Sequence, residues 1–418
     1  MFTQAVRVRF NKRANLLIKT NHYSHSISKV SKPLRILFCG SDDFSVSSLK
    51  AVQRERERNP NLIKSIEVLC RPGKPVGRGL NKIFQAPIRA AAEQLGLPLH
   101  ERDSFRGWQL PRSDDETINL IIAVSFGLFI PARILQSAEY GGLNIHPSIL
   151  PNFRGPAPIQ HTLLAGHRFT GVTLQTLDMK SFDRGIILDQ TQPWLEVPDL
   201  CTYDGLLKLL TPLAADMLVR GLRRRIFLPP LDDMGWVPPV DQQLIHARKI
   251  TSADKMLPWN THNTKSIIQS YCALGRLWSN VCLTPKMQKR LTFDELSLNA
   301  QESHRFHRIE DAESVMHNRA TVDGMPLKYF VVPGPGQGRQ AVLYYDDLSH
   351  KGCINMLFKG PDISWSIIRV GKITIEGMQP MAASRSLQIL QNGQKWLLDI
   401  TKTSRPKIGT HFPAFTSP

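Results

Sequence analysis

The sequence lacks the features that mark membrane, disulfide-framed and dinucleotide-binding proteins. Its longest apolar stretch, INLIIAVSFGLFIPA at 118–132, is interrupted by Asn119, Ser125 and Pro131. That stretch is also shorter than the roughly 20 residues a bilayer crossing needs, so no transmembrane helix is expected. The six cysteines, at 39, 70, 201, 272, 282 and 353, form no C-x-x-C pair. Their scatter argues for a reducing compartment and against a disulfide frame or a structural zinc site. Cys39, at the end of an apolar run, is expected to be a small buried residue rather than a nucleophile. There is no G-x-S-x-G elbow, so a covalent acyl-enzyme is not suggested. A metal site on His146, His161 and Asp183 lacks any H-E-x-x-H or H-x-x-E spacing to support it.

What is present begins with an uneven charge. Residues 1–35 hold eight Lys or Arg and no acid; 36–245 hold 23 basic and 22 acidic side chains, and 246–418 hold 22 and 13. The acid-free start, with spaced Arg and Lys, hydroxyls and intervening apolar residues, has the composition of a mitochondrial presequence, which places the mature chain in the matrix. A basic arm touching nucleic acid is the alternative. With 418 residues, 42 % of them apolar, the chain fits two folded domains.

LRILFCG at 34–40 reads as a buried parallel strand leading into the helix of DDFSVSSLKAVQRERER. Further strands are expected in IKSIEVLC, INLIIAV and at 142–146, with helices in FQAPIRAAAEQLG, after Pro131 and from Pro156. Alternation of this kind predicts α/β: a Rossmann-like open parallel sheet with helices on both faces, whose site lies beyond the carboxyl ends of the strands. The first turn, CGSDDF, carries one glycine and two acids where a pyrophosphate would need G-x-G-x-x-G, so no dinucleotide is expected.

At such a strand end stands GGLNIHPSILPNFRGPAPIQH, with Asn144 and His146 two residues apart beside a proline-stiffened loop. Downstream, TGVTLQTLDMKSFDRGIILDQ gives two strands joined by a loop that carries Asp178 and Asp183. An amide, an imidazole and a carboxylate drawn together from two loops can hold a tetrahedral oxyanion and handle an amine proton, so that an acyl group passes directly between two substrates. Taken singly, each residue also has a structural explanation, as a hydrogen-bonded histidine or a turn cap.

The combination of Asn-x-His-x-Ser, Leu-Pro, RGPAPI, TGVT and Asp-x-Gly resembles the folate-dependent formyltransferase family, and the likeness extends over most of residues 34 to about 400. The resemblance implies that Asn144, His146 and Asp183 are catalytic and that Ser148, Ile149, Leu150 and Pro151 contact the donor, 10-formyltetrahydrofolate. IIAVSFGLFIP resembles the loop lining the pterin pocket. The family's Asp-x-Gly-x-Asp-x-Gly loop is altered here: DMKSFDRG lacks the first Gly and separates its aspartates by one extra position. Asp183 is assigned because Arg184 and Gly185 keep its downstream frame. RPGKPVGRG at 71–79 is similar to the family's basic insertion loop, with Arg71, Lys74 and Arg78 able to grip phosphates of a large anionic acceptor, the initiator methionyl-tRNA.

Prolines 229, 230, 238 and 239 mark an extended linker, and after a helix at 261–275 residues 279–378 read as short alternating strands. The expected organisation is a presequence at 1–33, a catalytic domain at 34–227, a linker at 228–245, a C-terminal antiparallel β-barrel of OB-like type that binds tRNA at 246–408, and a tail at 409–418; a monomer is expected. Two other classes fit parts of the sequence. A formyltransferase acting on glycinamide ribonucleotide or an amino sugar would share the Asn-His-Asp set but have no use for the basic ends. A non-enzymatic RNA-binding protein on this fold would have no use for the triad.

Overall fold

The computed structural model describes residues 29–113, 116–257, 259, 264–283, 287–298, 321–322, 325–333, 339–359 and 365–393. Most of the expected presequence, and the tail at 409–418, lie outside the described residues. Residues 29–33 do not: Lys29 Nζ donates to the carbonyls of Leu228 (2.7 Å) and Pro230 (2.8 Å), and Asn119 Nδ2 donates to the Pro33 carbonyl (3.0 Å).

The apolar run at the start becomes β1 (Leu34–Gly40), buried on both faces, with Cys39 fully buried. Asp42 then caps α1 (Asp43–Arg58) by accepting from the Ser45 amide at 3.0 Å. β2 (Ile63–Cys70) follows, and then a hairpin, β3 (Lys74–Val76) and β4 (Lys82–Phe84), where the sequence predicted only a flexible loop. Its turn is made possible by Gly77 (φ 84°) and Gly79 (φ 78°). Because the hairpin claims Phe84, the next helix, α2, runs only over Pro87–Gln94. Short two-residue strands aside, the first part continues with β5 (Leu99–Glu101), β6 (Leu120–Val124), α3 (Ala132–Leu135), β7 (Gly142–His146), α4 (Pro158–Leu164), β8 (Thr173–Thr176), β9 (Ile187–Gln190) and α5 (Tyr203–Arg224).

The sheet order is β9-β8-β7-β6-β1-β2-β5. From β7 to β5 all pairs are parallel, whereas β8 runs antiparallel to β7 and β9 antiparallel to β8. The Rossmann-like parallel sheet expected from the sequence is present, with an antiparallel pair added at one edge: the short connection between β8 and β9 cannot make the long crossover a parallel pair requires. One face packs on the helices, with Leu206, Leu210, Ala214 and Leu218 of α5 buried. The other is covered by Phe105, Trp108, Phe126 and Ile134.

Residues 228–245 form neither helix nor strand, yet they are tied to the sheet. Met234 N donates to the Ile187 carbonyl (2.7 Å), Trp236 N to Gln190 Oε1 (2.8 Å) and Ile245 N to Asn152 Oδ1 (2.8 Å). Beyond them α6 (Thr264–Leu274) docks on α4, where Gln269 Nε2 donates to the Leu163 carbonyl at 2.6 Å.

The C-terminal part is antiparallel, as expected. Among the described residues its two larger sheets are built from β10 (Leu277–Cys282), β11 (Gln288–Phe293), β12 (Leu296–Leu298), β13 (Lys328–Pro333), β14 (Arg339–Asp346), β15 (Ile354–Lys359), β16 (Trp365–Val370), β17 (Lys372–Ile375) and β18 (Met381–Ala382), followed by α7 (Ala383–Gly393). They form sheets of order β10-β11-β17-β18 and β12-β16-β15-β14-β13. Both contribute to one core, in which Trp259 stacks on Phe358 (5.9 Å, 7°) and meets Phe293 and Phe330 edge-on.

Helices α1 and α5 are joined by a bidentate pair in which Arg223 donates to both oxygens of Glu55, at 2.9 and 2.6 Å; the Glu55 side chain is only 3 % exposed. The Arg223 hydrogen bond holds the Glu55 carboxyl below its usual range. A depressed folded value stabilises the fold above the unfolded value, near about 4, and the contribution is lost as pH falls through the folded value. Arg223→Gln is expected to lower the urea midpoint at pH 7, and the gap from wild type should narrow as the pH drops below about 4. A gap equal at pH 7 and pH 3 would show that the pair does not link folding to pH.

Candidate active site

Alternation along β7 sends Asn144 and His146 to the same side of the sheet. The register sets Asn144 between Ala123 of β6 and Gln175 of β8. Its amide is oriented by both neighbours: Nδ2 donates to the Ala123 carbonyl (3.0 Å) and Oδ1 accepts from Gln175 Nε2 (3.0 Å). One Nδ2 hydrogen remains for a ligand. The other end of the bridge is Asp183, whose Oδ1 lies 3.2 Å from Gln175 Nε2.

Asp183 leaves the loop between β8 and β9 with a positive φ of 55°. Its Oδ2 accepts from the Gly155 amide (2.9 Å), and its carbonyl accepts from Arg154 Nε (2.8 Å). Its Oδ1 stands 3.5 Å from His146 Nδ1, with the two side chains 7 % and 11 % exposed. The opposite ring nitrogen of His146, Nε2, is 2.9 Å from the Phe153 carbonyl. Each ring nitrogen thus faces an oxygen acceptor, and a ring carrying a proton on both satisfies both.

Two glycines allow this approach. A Cβ on Gly185 would fall 1.7 Å from the Thr176 carbonyl oxygen, and one on Gly155, at φ 120°, would fall 2.5 Å from that of Ala247. Sequence DMKSFDRG is thereby folded so that Asp183 reaches His146 while Asp178 turns back. Asp178 Oδ2 accepts from the amides of Lys180 and Ser181, both at 2.8 Å, and these bonds hold its carboxyl below the usual range.

Asn144, His146, Gln175 and Asp183 line a cavity of about 480 Å³. One wall is apolar: Phe126, Leu128, Phe129 and Ile130 follow β6, and Phe129 meets Phe182 edge-on at 5.2 Å. Asp42 and Tyr203 also line the cavity. Burial pushes the Asp42 carboxyl up, against hydrogen bonds from Ser45 and Ser125, and burial likewise raises the Tyr203 phenol, with Asp42 adding to it. The placement, beyond the strand ends on both sides of the β1–β6 order reversal, is the expected one for an open α/β sheet.

Ser148, Ile149, Leu150 and Pro151 are not among the residues that line this cavity. They lie behind it. Ser148 is fully buried and donates to the Asn152 carbonyl (2.9 Å), while Leu150 donates to Thr173 Oγ1 (3.1 Å) and accepts from Gln190 Nε2 (2.7 Å). These bonds brace the segment that carries His146. Arg71, Lys74 and Arg78 lie outside the cavity, on and beside the β3–β4 hairpin; Lys74 is exposed, Arg71 Nε is buried with no partner among the described residues, and the Arg78 side chain is outside the described residues. Sequence reasoning missed Gln175, although the alternation of TGVTLQT puts it in a half-buried strand; only the register with β7 reveals its two partners.

The sheet and this polar cluster define a formyl transferase of the α/β type, and residues 34–199 match the Formyl transferase family. The chain is 32 % identical over 307 residues to the mitochondrial methionyl-tRNA formyltransferase of Saccharomyces cerevisiae, which spans 65 % of this chain and 75 % of that protein. It is 33 % identical over 246 residues to the mitochondrial methionyl-tRNA formyltransferase of Homo sapiens, covering 59 % of this chain and 58 % of that one. The chain belongs to the methionyl-tRNA formyltransferase family. A solved structure of WlaRD, a sugar 3N-formyl transferase, is also similar, at 14 % identity and a TM-score of 0.45, covering 84 % of this chain and all of that one.

Gly185→Ala is expected to destabilise the fold by about 1–3 kcal/mol through overpacking against the Thr176 carbonyl, and to displace Asp183. An unchanged urea midpoint would show that the close approach at Gly185 is absent.

Proposed function

We propose that the chain transfers the formyl group of 10-formyltetrahydrofolate to the α-amino group of initiator methionyl-tRNA, in the mitochondrial matrix, supplying formylmethionyl-tRNA for translation initiation. The observation that carries this reading is the hydrogen-bonded set Asn144–Gln175–Asp183, with His146 beside Asp183, on the floor of a cavity that has one apolar wall. The names of the Saccharomyces cerevisiae and Homo sapiens relatives support the substrates and the compartment. So does the acid-free basic composition of residues 1–35.

The wall of Phe126, Leu128, Phe129 and Ile130 suits a flat, weakly polar ring system, and the polar floor suits the formyl group. The acceptor amine, neutral for a useful fraction of the time near pH 8, attacks the formyl carbon. As the new N–C bond forms, the carbonyl oxygen becomes an oxyanion. It takes a hydrogen bond from the free Nδ2 hydrogen of Asn144, already oriented by Ala123 and Gln175, and shares with Asp183 the Nδ1–H of His146 as a three-centre bond. Collapse breaks the bond from the formyl carbon to the donor nitrogen. The proton lost by the amine moves through Asp183 and water to that nitrogen, leaving tetrahydrofolate.

The macromolecular acceptor accounts for features outside the cavity. The β3–β4 hairpin exposes Val76, Leu80, Ile83 and Phe84 beside Lys74 and Lys82, a combination suited to bases and phosphates together. Arg71, Lys74 and Arg78 are read as tRNA contacts on this basis. The basic surplus of residues 246–418 suits the backbone of the same ligand.

His146→Ala and Asn144→Ala are each expected to reduce formyl transfer to methionyl-tRNA by about 10²-fold or more, with the melting temperature within a few degrees of wild type. Asp183→Asn should be comparably severe and Asp178→Asn mild. Near-normal turnover in either of the first two variants, or a reversed order of the aspartates, would remove these residues from the reaction.

A further inference from the structure

A second depression, a groove of about 640 Å³, runs between α1 and α5. It adjoins the active-site cavity, with Phe44 and Leu207 lining both. Its charge is graded along the helices. Asp43 and Asp204, the first and second residues of their helices, stand at the cavity end; Lys50, Arg54 and Lys208 line the groove further out. Among the described residues these three cations have no carboxylate partner. Two arginines elsewhere on α5 do: Arg220 pairs with Asp216 and Asp189, and Arg223 with Glu55. Three exposed cations without partners, converging on one groove, form a site for phosphate rather than a neutralised surface.

The order of charge along the groove points to the substrate it serves. Asp42 and Tyr203, which line the cavity, are close in sequence to Phe44 and Leu207, the two residues that line both hollows. An aminoacyl end carries a positive or neutral amine followed by phosphates. Acids nearest the cavity and cations beyond them match that order. Lys50 and Arg54 are one helical turn apart, about 6 Å of rise, comparable to the step between neighbouring phosphates of a single strand.

We infer that the α1–α5 groove is the entry path of the acceptor's 3′ strand, with Lys50, Arg54 and Lys208 on its terminal phosphates and the aminoacyl end passing Phe44 and Leu207 into the cavity. This rests on the reading that the acceptor is an aminoacyl-tRNA.

The test compares wild type with Lys50→Gln/Arg54→Gln/Lys208→Gln and, as a control for bulk charge, Arg56→Gln/Arg58→Gln at the far end of α1. Steady-state formyl transfer is measured with methionyl-tRNA and with a methionine ester that has no phosphate, using donors with one and with several glutamates, at about 50 to 200 mM salt. In the triple variant KM for methionyl-tRNA should rise about tenfold or more, with kcat within about twofold. The slope of log affinity against log salt should flatten by roughly 0.7 for each lost contact. The control pair should match wild type, and the ester should not distinguish the triple variant from wild type. A triple variant with unchanged KM and salt slope for methionyl-tRNA would overturn the inference. So would a rise in donor KM that grows with the number of glutamates, because the groove would then hold the donor's acidic tail. A wild-type protein that formylates the ester but not methionyl-tRNA would remove the acceptor reading itself, and the entry path with it.

Discussion

The Asp183 carboxylate is the point on which the active site is assembled. One oxygen takes the Gly155 amide, and the other faces both Gln175 Nε2 and the His146 ring. Through Gln175 the same carboxylate fixes the orientation of Asn144. Three segments between residues 144 and 183 therefore have one polar group in common, and the two glycines that let the backbone pass so closely, Gly155 and Gly185, are geometric requirements of that meeting. Because the whole set is largely buried, an unpaired member would be costly, which keeps the donors aimed before any substrate arrives.

The scaffold explains how such an arrangement is held. Asn144 and His146 lie on a strand paired on both sides, so their backbone positions are fixed by ladders rather than by a loop. Behind them the Ser148–Pro151 stretch is anchored by Thr173 and Gln190. The 228–245 segment closes the same region by bonding to Ile187, Gln190 and Asn152. Docking of α6 on α4 then ties the C-terminal sheets to the catalytic part through a core that runs on from Leu34 to Leu390.

Elements with strong local signals were legible in the sequence. The apolar strands β1, β2, β6 and β7 stand where their patterns put them, and Asn144, His146 and Asp183 come together as their motif implied. What stayed hidden depends on non-local pairing. The antiparallel turn-back of β8 and β9 is set by which edge they join, and Gln175 gains meaning only when the register places it opposite Asn144. Ser148 to Pro151 follow His146 in sequence but turn behind the cavity, because their polar groups find partners 23 to 40 residues away. Helix α5 was readable and overlooked: Leu206, Leu210, Ala214 and Leu218 recur at helical spacing after the Thr202 cap, with Pro212 and Gly205 obscuring the pattern.

The most direct test of the account is a crystal structure of the protein with 5-formyltetrahydrofolate, a stable isomer of the proposed donor. The account predicts the pterin ring against Phe126–Ile130 and the formyl group on the floor of the cavity, near Asn144 and His146, with Asp183 still held by Gly155 and Gln175. A ligand bound elsewhere, or one whose formyl group faces away from Asn144 and His146, would contradict it.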